Sequence, residues 1–184
     1  MIHHLSDVQT KNIGENTVIW QYSVVLSGAK IGGNCNINCH TFIENDVEIG
    51  DNVTIKSGVY LWDGIKCSNN VFIGPNATFV NNKTPRSKQF PEKHIGCIIG
   101  EGASVGANAT IMGQISIGEF AMIAAGSVVT RNVKPYELVV GNPARHRAWL
   151  DEFGKKLNHL GGDLYESESG KKFVLMDGFI KVKE

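Results

Sequence analysis

The stretch from Ile13 to Glu48 reads IGENTV-IWQYSV-VLSGAK-IGGNCN-INCHTF-IENDVE, and every sixth residue begins the pattern again. Each frame opens on an apolar residue and places a small or β-branched residue fifth. The register continues to Thr84 through IGDNVT, IKSGVY, LWDGIK, CSNNVF, IGPNAT and FVNNKT. It resumes at Ile99 as IGEGAS, VGANAT, IMGQIS, IGEFAM, IAAGSV and VTRNVK. A fixed period of six residues signals a parallel β-helix, a solenoid whose coils contact only their neighbours. Three frames close one triangular coil, so residues eighteen apart stack about 4.8 Å from one another. The eighteen frames therefore predict about six coils of an all-β solenoid.

Outside the repeat, composition narrows the function. The 184 residues carry 18 basic and 18 acidic side chains without a long run of either sign. This argues against a general nucleic-acid or membrane-surface binder. The four cysteines form no CxxC pair, which supports neither a zinc site nor a redox dithiol. MIHHLSDVQT has no apolar run of signal-peptide length. A soluble protein of a reducing, cytoplasmic compartment is expected.

Stacking places third-position residues in columns. On one corner the column runs Ser27, Asn45, Asp63, Asn81, Gly113 and Arg131, with Asp46 and Asn82 beside it. There the chain leaves the frame: KTPRSKQFPEKHIGC, residues 83–97, fits no repeat and contains Lys83, Arg86 and His94. Long loops inside compact repeats are commonly functional. Taken singly, Asn and Asp also suit corners because they tolerate tight turns. His40 reads as a corner residue.

The expected domain plan is a β-helix over 1–145, a C-terminal helix over 146–160, and a small strand-rich tail over 161–184. Trp149, Leu150, Phe153, Leu157 and Leu160 fall near helical spacing, the basis for the helix. An Asp177-Gly178 turn among alternating residues gives the tail its strand reading.

The frame together with VVGNPARHRAWLDEFGKKL resembles the hexapeptide-repeat acetyltransferases, and that resemblance covers about Ile13 to Leu157. It implies a left-handed coil, against the usual right-handed crossover of parallel strands. GVYLWDGI, VFIGPNATFVNNKTPRS and WLDEFG narrow it to nucleotide-sugar 3-N-acetyltransferases. The run from Asn81 to Ser87 resembles the N-D-x-x-P-R-S form of the group acting on dTDP-linked 3-amino-3,6-dideoxyhexoses, with Asn82 in place of its Asp.

The resemblance implies acetyl-CoA as co-substrate, no metal, and a role in making surface polysaccharide such as O-antigen or S-layer glycan. It also implies a homotrimer with active sites between subunits. Gly106, Ala107, Ala124, Ala125 and Gly126 would line the cofactor groove, with Lys134, Asn142, Pro143, Arg145 and Arg147 near its nucleotide end. Asn81, Asp63 and Asp46 become the catalytic candidates, with Asn45, Asn82, Lys83, Arg86 and His94 on the substrate side. Related 4-amino-sugar enzymes place a catalytic His in the frame that here is IENDVE; Asn45 stands there, so a histidine base at that corner is absent. No nucleophile stands paired with a base, which favours direct attack of the sugar amine. The alternatives are a UDP-2-acetamido-3-amino-2,3-dideoxyglucuronate 3-N-acetyltransferase or another small-molecule hexapeptide acetyltransferase. A zinc hydratase on this fold needs three interface histidines, a set that His40 and His94 do not supply.

Overall fold

The computed structural model describes residues 1–89, 91–92 and 94–183; Phe90 and Lys93 of the expected loop, and Glu184, lie outside the described residues. The repeat becomes three parallel sheets. The first carries Val18–Ile19, Asn36–Ile37 and Thr54–Ile55 upward to Glu137–Val140; the second runs from Asp7–Val8 and Val24–Val25 to Val128–Val129; the third runs from Lys30–Ile31 to Ser116–Ile117. Partners sit eighteen positions apart, as in Val18↔Asn36 and Val24↔Phe42. The chain is thus an all-β parallel helix, in keeping with the left-handed winding expected.

First and fifth positions point inward. Ile37, Ile55, Ile73, Val105 and Ile111 are fully buried, and Ala29, Val47, Ala103 and Ala109 fill the narrower slots beside them. Burying such aliphatic side chains contributes about 1.5–3 kcal/mol each. The fourth position turns the corner with positive φ, mostly at Asn or Gly, such as Asn34, Asn52, Asn70 and Asn108.

The solenoid extends beyond the recognisable frames at both ends. Asp7↔Val24 and Ile2↔Ile19 add a rung below, only seventeen residues from the next, and Glu137–Val140 continues the first sheet above. Seven rungs result, one more than the frames suggest. In the middle, Lys66 pairs with Ile98, thirty-two positions on instead of eighteen, so one coil carries fourteen extra residues. Gly64 and Gly96 let that coil close again: a Cβ at either would strike the other's backbone.

The expected helix over 146–160 is not formed. Arg145–Trp149 is a strand antiparallel to Glu137–Val140, Leu150 bridges Lys156, and Asn158–Gly161 begins a new sheet. Tertiary packing overrides the helical spacing. Trp149 joins Phe173 and Ile180 in a second core with Tyr136 and Leu157, while Phe153 stays 78% exposed and Leu160 49% exposed. Asp151 Oδ1 accepts the N–H groups of Phe153 and Lys155, and Gly154 takes φ +77, which turns the chain there. Four antiparallel strands, Asn158–Gly161, Leu164–Glu166, Lys172–Met176 and Phe179–Val182, complete the chain.

Candidate active site

Between the second and third sheets, Asn45, Asp63 and Asn81 occupy one corner on successive rungs. The lower two tie their rungs together. Asn45 Oδ1 accepts the Gly28 N–H at 2.9 Å, and Asp63 Oδ1 accepts the Asp46 N–H at 2.7 Å. Glu44 in turn accepts the Asp63 N–H at 2.7 Å. Asp63 keeps its second carboxylate oxygen outside that bond. Among the described residues Asn81 makes no comparable bond to the coil beneath, and above it Gly113 approaches the Val80 carbonyl and Asn81 backbone too closely for a side chain.

The inserted loop leaves just past Asn81. Asn82 Oδ1 accepts the Thr84 N–H at 2.9 Å and starts its first turn. Lys83 and Arg86 are exposed; Arg86 Nη1 donates to the Pro85 carbonyl while its backbone bridges Gln89. Where the loop returns, it roofs a groove of about 490 Å³ lined by Asp46, Lys66, His94, Gln114 and Ser116. Among the described residues, His94 Nδ1 is buried there without a hydrogen-bond partner. Such an atom is normally satisfied by water or a ligand. The structure therefore brings Asp46 and His94 to one groove, with Asn45, Asp63 and Asn81 along its corner.

The expected cofactor residues gather at a different corner, between the first and second sheets. Gly106 and Ala107 lie one rung below Ala124, Ala125 and Gly126; a Cβ at Gly106 would meet Ala125 N at 2.5 Å. The small side chains leave a smooth wall. The segment Gly141–Arg145 folds over its top: Val128 donates to the Gly141 carbonyl, Ala144 donates to the Val128 carbonyl, and Ser127 Oγ accepts the Gly141 N–H at 3.0 Å. Asn142, Pro143 and Arg145 thereby cap the wall. Arg145 and Arg147 are both exposed on the strand that follows. Lys134 does not join them. Its Nζ donates to the Gly178 carbonyl at 2.6 Å and lies 5.0 Å from the centre of the Phe179 ring, tying the solenoid to the terminal sheet.

Two groupings were not foreseen from sequence. Glu137, its side chain 2% exposed, accepts the Lys134 N–H and pairs with Arg131 at 3.5 Å and His146 at 3.2 Å, fixing the Arg145–Trp149 strand. Tyr22 and His40 stack on the first–second corner beside Phe42, Tyr60 and Trp62. An aromatic ring at a position where other coils use Asn or Gly was the available signal. Three of the four thiols are held protonated: burial pushes Cys35 and Cys67 up, and Cys97 up to about 12.

Comparison with known proteins agrees with the repeat. The model described as bacterial transferase hexapeptide (six repeats) matches residues 10–45 and 96–131, and that of the hexapeptide repeat of succinyl-transferase matches 28–63. The chain is 47% identical over 179 residues, 97% of its length and 93% of the relative's, to the dTDP-3-amino-3,6-dideoxy-alpha-D-galactopyranose 3-N-acetyltransferase of Aneurinibacillus thermoaerophilus. It is 36% identical over 91 residues to serine acetyltransferase 4 of Arabidopsis thaliana, 48% of this chain and 25% of that one. Among solved structures, the UDP-N-acetylglucosamine acyltransferase of Campylobacter jejuni shares the fold, with a TM-score of 0.59, 20% identity, and coverage of 81% of this chain and 75% of that one.

Proposed function

Because the chain belongs to the hexapeptide-repeat acetyltransferases, we propose that it transfers the acetyl group of acetyl-CoA to the 3-amino group of a dTDP-linked 3-amino-3,6-dideoxyhexose, the galacto epimer first. The product would serve surface polysaccharide synthesis, O-antigen or S-layer glycan. The observation that carries this reading is the end-to-end likeness to the Aneurinibacillus enzyme, which spans solenoid, loop and terminal sheet alike. Acetyl-CoA as co-substrate and four free cysteines, three of them buried, suit a cytoplasmic reaction.

The chemistry asks little of a base. A sugar amine resembles an α-amino group with a pKa near about 8, so part of it is already neutral at pH 7. The amine nitrogen attacks the thioester carbonyl, the C–N bond forms, the C–S bond breaks, and the ammonium proton leaves as the thiolate takes one up. The free oxygen of Asp63, with Asp46 on the groove side, orients the amine and holds that proton. Asn81, unengaged at the edge of the loop, aims its amide at the amine or the developing oxyanion. His94, whose Nδ1 has no partner among the described residues, contacts the substrate from the groove wall and Asn45 from the corner, while Asn82, Lys83 and Arg86 reach its diphosphate.

The cofactor lies along Gly106, Ala107, Ala124, Ala125 and Gly126, its phosphates toward Asn142, Pro143, Arg145 and Arg147; Lys134, occupied at Gly178, drops out of this set. This wall and the Asp63–Asn81 column stand at opposite edges of the second sheet. A homotrimer in which one chain's wall faces the next chain's column completes each site, which is why we assign the sites to subunit boundaries.

The test is a panel assay. Purified protein with acetyl-CoA and dTDP- or UDP-linked amino sugars should release CoA thiol rapidly only with a dTDP-3-amino-3,6-dideoxyhexose. Turnover confined to a UDP-3-amino uronate, or none across the panel, overturns the assignment.

A further inference from the structure

The fourth-position residues of the first–second corner form a column of Tyr22, His40, Gly58, Asn76, Asn108 and Gly126, with φ of 60, 58, 75, 56, 55 and 69°. Gly and Asn occupy this left-handed region with little penalty, and four of the six obey that rule. Tyr22 and His40 do not. Aromatic residues held in this backbone conformation are strained, and such strain collects at functional sites. Neither ring is needed by the core: Tyr22 is 55% exposed, and the two rings stack on each other outside the coil at 5.3 Å with an interplanar angle of 24°.

The stack stops at Gly58. A side chain there would collide with Asn76 Oδ1, so the space above His40 stays open up to that carboxamide. From His40 to Asn76 is two rungs, about 10 Å. Tyr60 and Trp62, edge to face at 6.0 Å, wall this step. They line both the groove of about 400 Å³ that contains Tyr22 and His40 and the hollow of about 170 Å³ that contains Gly58 and Asn76. The result is a slot with an aromatic floor, an aromatic wall, and an amide donor–acceptor pair at its upper edge.

We propose that this slot holds the pyrimidine base of the nucleotide sugar, stacked on His40 and read along its imide edge by Asn76. The proposal rests on the reading of the chain as a nucleotide-sugar acetyltransferase and adds where the nucleotide is recognised. Position favours this occupant. The aromatic groove crosses the second sheet from His40 to Trp62, the chain neighbour of Asp63. Four residues of strand cover about 13 Å, a span suited to the ribose and diphosphate between a base and its sugar. A base on His40 thus brings the sugar amine to the Asp63–Asn81 column. The amide of Asn76 supplies both a donor and an acceptor, matching the alternating groups of a pyrimidine imide.

The variants Tyr22→Asn and His40→Asn place at each corner the residue that the same column uses at Asn76 and Asn108, so they remove the rings while relieving the backbone. With dTDP as the probe, calorimetry should give a dissociation constant weaker by about tenfold for His40→Asn, the scale of one base–aromatic stack. The KM for the dTDP-amino sugar should rise in parallel, kcat should change little, and the melting temperature should hold or increase. Wild-type-like dTDP binding in both variants overturns the site, as does the absence of dTDP binding by the wild type. Loss of binding that accompanies dissociation into smaller species, seen by sedimentation velocity, also overturns it and makes the groove a contact between copies. If dTDP binding depends on the rings but no amino sugar is turned over, the base site stands and the proposed reaction falls.

Discussion

The corner between the second and third sheets and the corner between the third and first sheets are built alike, yet only one of them opens. At the first of these, Asn45 and Asp63 accept the N–H groups of Gly28 and Asp46. At the other, Asp51 and Asn69 accept those of Gly33 and Asp51, at 2.7 and 2.8 Å. A third-position Asp or Asn is therefore a rung-to-rung tie, contributing about 1 kcal/mol, and an acid at a corner is no sign of catalysis by itself. The closed corner continues upward as a ladder, Asn52 to Asn70 to Glu101, each side-chain amide donating to the next at 3.2 Å. The open corner reaches Asn81, where the tie lapses and the chain departs. Function is to be sought where the structural pattern stops, not where it repeats.

The largest effect should fall on that lapse. Asn81→Ala is expected to lower kcat by about 10²- to 10³-fold, the usual consequence of removing a positioned amide from a developing oxyanion. Because Asn81 ties no rungs, stability should stay within about 0.5 kcal/mol in thermal melts. A kcat within threefold of wild type would make Asn81 one more corner residue and erase the distinction between the two corners.

A paired substitution sharpens the same contrast at lower amplitude. Asn in place of Asp keeps an oxygen that can accept the backbone N–H, so Asp63→Asn and Asp51→Asn should each change stability by less than about 1 kcal/mol. Only Asp63→Asn should slow turnover, by about 100-fold, since it removes the group that holds the amine's proton. Its deficit should shrink at higher pH, where the amine is neutral without help. Equal kinetic effects at both corners would mean that the carboxylate acts through the coil rather than on substrate.

How much of this was legible follows from how local each signal is. The six-residue frame gave the coil, its inward positions and the third-position columns, because each depends on neighbours eighteen residues away in a fixed register. The rung of Ile2 and Val8 escaped because its coil is one residue short, which shifts the apolar positions out of frame. Trp149, Leu150 and Leu157 have helical spacing but pack against Phe173 and Ile180, partners that no local period announces. The same holds for the site. Asn81, Asp63 and the loop share a column and could be read together, whereas Lys134 meets Gly178 across 44 residues and Glu137 meets Arg131 and His146 only once the terminal strand folds back. His40 was visible as a corner residue; that its ring stacks on Tyr22 depends on two side chains adopting the same unusual corner one rung apart.

The smallest expected effect asks whether the open corner loosens the core behind it. Cys97 is the first inward residue after the loop, and its carbonyl accepts the Lys66 N–H at 3.0 Å as the coil re-forms. It is 1% exposed, like Cys35, although the chain has just returned from a fourteen-residue excursion. Burial pushes its thiol up to about 12, and Cys67 and Cys35 are raised as well, so none of the three offers thiolate near pH 8. Alkylation of the native protein at that pH should modify Cys39, which is only half-buried, and spare the others. Because the folded chain keeps protons that unfolded thiols, with an ordinary value of 9.0, give up, stability should decline as pH rises from there toward 12. Labelling of Cys97 as fast as Cys39 would show that the corner opens into the interior. Protection equal to that of Cys35 would show that Gly64 and Gly96 seal the coil, leaving the loop free to serve substrate without cost to the solenoid.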